Sequence, residues 1–142
     1  MPVWLLFSFG SAVFAALVAI FAKIGLGGVS ATLATTIRSL IMSGILLIAG
    51  FAFGTLRHVK WGSITGREWA YLFLAGLAGA LSWLCYFIAL KTGSAVKVSA
   101  IDRTSLALVV ILAALFLGES LTWKTVVGAI VMIAGAILVT LK

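Results

Sequence analysis

The sequence predicts an all-α fold, a polytopic membrane bundle of five transmembrane helices. Three observations predict it. Of 142 residues, 64% are hydrophobic and only 9% are charged. That is too few charges to cover a water-facing surface, which in soluble domains takes roughly a quarter of all residues. The mean hydropathy is +1.32. The apolar residues also gather into five blocks of the ~20 residues that a helix needs to cross a hydrocarbon core about 30 Å thick.

The first block, residues 3–22, is closed by Lys23. Its length, the lack of a charged n-region beyond the terminal amine and the four blocks that follow make a membrane span the expectation over a cleaved signal peptide. The second, residues 30–53, follows the short link Gly25-Leu26-Gly27-Gly28. The stretch 54–69 is the one connection long enough to be a loop, and it holds Arg57, His58, Lys60, Arg67 and Glu68. The third block, 70–90, is closed by Lys91, and Thr92-Gly93-Ser94 turns the chain into the fourth, 97–117. Gly118-Glu119-Ser120-Leu121-Thr122 leads into the fifth, 125–141. The expected organisation is one transmembrane domain over residues 1–142 with no extramembrane domain to hold a soluble active site.

Lipid supplies little hydrophobic drive for helix association, so small residues that let backbones approach take on that task. Such residues recur at helical spacing: Ser11, Ala15 and Ala19; Thr35, Ser39 and Ser43; Ala75 with Gly79 and Gly76 with Ala80; Gly128 with Gly135. Their expected use is bundle packing, with lining of a substrate path as the alternative.

Ten Lys and Arg stand against three Asp and Glu, a formal net charge of +7. They are scattered through short loops and helix ends, with no basic run and no aromatic platform. This pattern suits lipid headgroups and excludes nucleic acid as a partner. The single cysteine, Cys85, has no intramolecular disulfide partner and reads as a small apolar residue. No HExxH, GxSxG, Walker loop or CxxC occurs, and His58 lies in the basic loop as a solvated side chain. No enzyme, cofactor or metal is expected.

Five spans put the termini on opposite sides. Side one carries Arg57, Lys60, Arg67 and Lys124; side two carries Lys23, Lys91, Lys97 and Lys142. Lys and Arg normally fix the cytoplasmic side. Four against four gives almost no instruction, so the chain is a candidate for insertion both ways and for an antiparallel dimer; Arg38 and Arg103, inside spans near side two, tip the balance there when counted. Trp4, Trp61, Trp69 and Trp123 fall near side one as interface anchors, whereas Trp83 lies within the third span as a candidate cavity residue.

Charges inside spans are the functional candidates, because an ionisable group at bilayer depth costs a few kcal/mol and faces protein or water. Arg38 lies about 12 Å into the second span, and Asp102 and Arg103 lie somewhat less deep in the fourth. Adjacent helix residues point about 100° apart, so Asp102 and Arg103 do not share one partner. Asp102 is expected to seek Arg38 or Lys23, and Arg103 a substrate anion or a headgroup. Lys23, Lys91 and Lys97 are long enough to snorkel to side two. Asp102 is too short to do so, and as the one acid well inside a span it is the first carrier to test if a proton is exchanged for substrate.

Three stretches carry a resemblance. They are Ala22-Lys23-Ile24-Gly25 with Leu33-Ala34-Thr35-Thr36-Ile37-Arg38; Ser82-Trp83-Leu84-Cys85-Tyr86-Phe87 and Ala89-Leu90 with Ile101-Asp102-Arg103 and Ser105; and Phe116-Leu117-Gly118-Glu119-Ser120-Leu121-Thr122-Trp123 before a Gly-rich last span. The chain resembles, over essentially its whole length, the single-unit, five-span EamA-type members of the drug/metabolite transporter superfamily. The resemblance implies a five-helix unit where larger relatives carry two inverted units in ten spans. It therefore implies action as a dimer with the path at the interface, in a bacterial or archaeal cytoplasmic membrane. Relatives often carry Pro-Ile-Asp-Lys where Ala100-Ile101-Asp102-Arg103 stands here, so the Pro that would break the fourth span is missing.

The expected function is a secondary transporter, an exporter of a small metabolite or amphiphile. Its substrate and coupling candidates are Asp102, Arg38, Arg103, Lys23, Trp83 and Lys97. The basic cluster of Arg38, Lys97 and Arg103 favours an anionic or zwitterionic substrate. The alternative is a non-transporting membrane subunit, such as a lipid-carrier flippase partner or a scaffold.

Overall fold

The computed structural model describes residues 2–141; Lys142, assigned above to side two, lies outside the described residues. Among them the regular structure is all helical, with helices α1 Val3–Gly25, α2 Ala31–Ala52, α3 Gly66–Thr92, α4 Ala95–Asp102, α5 Ser105–Leu112 and α6 Trp123–Thr140. Helices α4 and α5 with the wide turn Ala113–Leu117 make one interrupted span, Ala95–Leu117, so five segments are long and apolar enough to cross a membrane. Their bulky side chains point outward, Phe7 at 73% and Phe116 at 82% exposure. Such a surface is stable against acyl chains and not against water.

Hydroxyl caps start the helices. Ser30, Ser94 and Thr122 each accept a hydrogen bond from the backbone N–H three residues on, at Leu33, Lys97 and Thr125. Each satisfies one of the N–H groups that a helix start leaves open. Helix α3 begins four residues ahead of the expected start at residue 70. Thr65 and Glu68 form a reciprocal cap there: the Glu68 carboxylate accepts from Thr65 N at 2.7 Å and Thr65 Oγ1 accepts from Glu68 N at 3.3 Å. Helix α1 likewise runs past Lys23 to Gly25.

Helix α2 ends in a local fold-back. Gly54 adopts φ +74°, and Leu56 N donates to Gly50 O at 3.0 Å. The Leu56 side chain then lies over Gly50, where a Cβ would sit 2.7 Å from it. A side chain at Gly50 would force Leu56 to move, and one at Gly54 would be strained by its positive φ.

The fourth span breaks without proline. Thr104, Leu106 and Ala107 donate to Ile101, Arg103 and Thr104, three residues back in place of four, and Thr104 Oγ1 donates to Ile101 O at 2.7 Å. This tightened 3₁₀-like turn separates α4 from α5. The span ends in the opposite distortion, a π-type turn closed by Glu119 N to Ala113 O across Gly118 at φ +67°.

Two compact units divide the chain: Ile24–Lys91, and α1 up to Lys23 with everything from Thr92 onward. In the latter, α4 and α5 pack on α6, and Ala129 and Ala136 are the buried residues of α6. The expected Gly128–Gly135 face is one residue out of register with that contact, and a Cβ at either glycine would meet nothing within 4 Å. Gly76 and Gly79 of α3 are equally open. On α1 the small-residue stripe is buried only at its end, at Ala19.

Candidate substrate site

The unit Ile24–Lys91 contains the most developed polar arrangement. Helix α2 starts and α3 ends on side two, and Lys91 Nζ donates to Val29 O at 2.9 Å, pinning the end of α3 to the start of α2. Arg38 lies eight positions after Ser30, and Trp83 eight before Lys91. The two therefore stand at matching depth, about 12 Å along their helices. There the Arg38 guanidinium lies over the Trp83 ring, 3.5 Å from its centroid, with Phe87 at 5.9 Å.

The indole is itself held in place. Tyr86 and Phe87, three and four residues on, meet it edge-on at 5.5 and 6.1 Å, and Phe87 is buried. Such contacts restrict the ring and present its electron-rich face to the cation. The one carboxylate in the unit, Glu68, is engaged with Thr65 at the far end of α3. Arg38 is therefore a cation at membrane depth whose counterpart, within its unit, is an aromatic face.

A groove of about 330 Å³ lies between α2 and α3. Thr32, Thr35, Thr36, Ser39 and Ser43 line one wall; Leu40, Ala80 and Leu84 complete the lining. Thr35, Thr36 and Ser39 each donate to the carbonyl four residues back, at 2.8–2.9 Å. Their protons are spent on the helix, so their oxygens face outward as acceptors. The expected stripe Thr35, Ser39, Ser43 thus lines a groove. Trp83 sits beside that lining, under Arg38.

The other candidates lie in the second unit, where the two lysines turn to different carbonyls. Lys23 Nζ donates to Gly93 O at 2.7 Å, and Lys97 Nζ donates to Thr140 O at 2.9 Å. Both ammonium groups therefore stitch backbone segments together, and the latter neutralises an open carbonyl at the end of α6. Asp102 is exposed in the last turn of α4 and has no ion-pair partner in its unit among the described residues, with Lys23 committed to Gly93. Arg103 is exposed at the break itself. The Arg38–Trp83 stack was not anticipated from the residues, though equal spacing from the pinned helix ends would have indicated it.

The comparisons with known proteins agree with this architecture. The pattern of the EamA-like transporter family matches residues 2–141. A relative described as an uncharacterized transporter in the cobO 3′ region, from Sinorhizobium sp, is 41% identical over 135 residues, covering 95% of this chain and 94% of its own length. No solved structure matches the chain. A match that begins at the second residue and ends one short of the last takes in every span and the whole groove, and the chain belongs to the EamA-like transporter family.

Proposed function

We propose that this chain is the subunit of a secondary exporter of a small anionic or zwitterionic metabolite or amphiphile, working as a dimer. The observation that carries the reading is Arg38, held on Trp83 beside the α2–α3 groove with no carboxylate of its own unit to neutralise it. Intramembrane cations of this kind belong to ion and substrate pathways. The groove supplies an apolar wall for a tail and a hydroxyl wall for polar substituents. The open glycine positions of α3 and α6 support a second copy as the partner, since small residues in lipid are interface residues. The even Lys/Arg distribution favours an inverted arrangement of the two copies.

The test is transport in proteoliposomes loaded with a panel of labelled carboxylates, with and without a proton gradient. Arg38→Gln is expected to abolish anion efflux, with Arg38→Lys retaining part of it because the charge stays and the flat stacking group is lost. Efflux unaffected by Arg38→Gln would remove Arg38 from the path.

A further inference from the structure

We propose that the Arg38–Trp83 stack is a latch between α2 and α3, released when the carboxylate of an amphiphilic substrate binds the rim of the guanidinium. The proposal rests on the anion reading above and adds how the bound anion acts on the helices.

A guanidinium in hydrocarbon must be compensated, and the groups around Arg38 leave Trp83 as the compensation within its unit. Glu68 is occupied by Thr65. The hydroxyls on neighbouring turns of α2 give their protons to α2 itself. The guanidinium carbon lies over the Trp83 ring, 3.5 Å from its centroid. Among the described residues no hydrogen bond from its N–H groups accompanies that contact, and a guanidinium rim matches a carboxylate in two parallel hydrogen bonds.

The stack also bridges helices that are otherwise apart. Along most of their length the α2 and α3 backbones do not come together, and the groove occupies the space between. At the side-two end Lys91 pins α3 to Val29. The pair is thus fixed at one end and held by Arg38 on Trp83 about one-third of the way along. Attraction to the ring scales with the net charge placed over it. A carboxylate on the rim offsets that charge, and low dielectric makes the offset large. The ring is then no longer needed as a counterpart, the two helices loosen beyond the pin, and the groove widens for the apolar tail.

The latch gives the stack and the anion opposite effects on each other, which fixes the sign of the test. Octanoate binding is measured calorimetrically in nanodiscs, with octanamide as the neutral control for partition into lipid. Removing the ring by Trp83→Leu is expected to tighten octanoate binding about fivefold, because the free state loses what the anion must displace. Trp83→Phe, a weaker ring, is expected to give a smaller tightening in the same direction and carries the test if Trp83→Leu does not fold. In a background with Trp4, Trp61, Trp69 and Trp123 changed to Phe, octanoate is expected to shift Trp83 emission. Unchanged or weaker octanoate binding in the Trp83 variants overturns the latch. Arg38→Gln separates the two levels. Loss of octanoate binding there upholds the anion reading whatever the Trp83 variants do, and retention overturns both.

Discussion

The Arg38 guanidinium carbon lies over the Trp83 indole, 3.5 Å from its centroid, at matched distances from the pinned ends of α2 and α3. The pairing is a consequence of topology. Two helices joined at one membrane face and running in opposite directions bring together residues equally far from the junction. The unit Ile24–Lys91 thus converts two positions 45 apart in the chain, 38 and 83, into one site. The polar wall of the groove follows from the same logic. Thr32, Thr35, Thr36, Ser39 and Ser43 recur at the three- and four-residue steps that place them along one side of a helix.

Lys23 and Lys97 are stitches, and their loss should be read in stability before transport. Each ammonium donates to a main-chain carbonyl far away in sequence, at Gly93 and Thr140. Hydrogen bonds from charged donors contribute about 1.5–3 kcal/mol in folded proteins, and half-exposed ones less. Lys23→Met and Lys97→Met are each expected to cost about 1 kcal/mol in unfolding from detergent micelles. Side chains that merely snorkel to headgroups would leave the unfolding midpoint where it was.

How much of this was legible in the residues differs from element to element. All five spans could be read from apolar blocks, because lipid tolerates nothing else over that length. The caps Ser30, Ser94 and Thr122 stand in the short connections and were readable as hydroxyls before apolar runs. The start of α3 was hidden because Arg67 and Glu68 look like loop residues, whereas Glu68 in fact closes the cap on Thr65. The break in the fourth span was hidden because no proline marks it; a threonine hydroxyl bonding three residues back accompanies it instead. Arg38 was legible as a candidate from its depth, but its partner was not, since a carboxylate was the obvious choice and an aromatic face holds it. Lys23 and Lys97 looked like substrate candidates because charge can be read from sequence and the carbonyl it answers cannot.

The open glycines give a test of the dimer that is separate from folding. Gly76 and Gly128 have free space where a Cβ would be built. A larger side chain at either should fit the single chain without strain and obstruct a neighbour that packs closely on it. Gly76→Leu and Gly128→Leu are expected to leave unfolding within about 0.5 kcal/mol of the parent, as for surface changes away from special features. One or both should lower the dimer fraction seen by single-molecule photobleaching in dilute liposomes. Dimers undiminished in both variants would place the contact between copies on other helices.

Asp102 separates the transport reading from the assembly reading. It is an exposed carboxylate in the last turn of α4, directly before the break that separates α4 from α5. Among the described residues no ion pair to it forms within its unit, where Lys23 and Lys97 turn to carbonyls. A carboxyl group can take up and release a proton, whereas an amide of the same shape cannot. Asp102→Asn is therefore expected to leave unfolding and dimer fraction unchanged while efflux loses its dependence on an imposed proton gradient. The comparison is made in proteoliposomes at matched protein density, with and without the gradient. If the variant keeps gradient-driven efflux but assembles poorly, Asp102 is a contact between chains and the coupling group lies elsewhere.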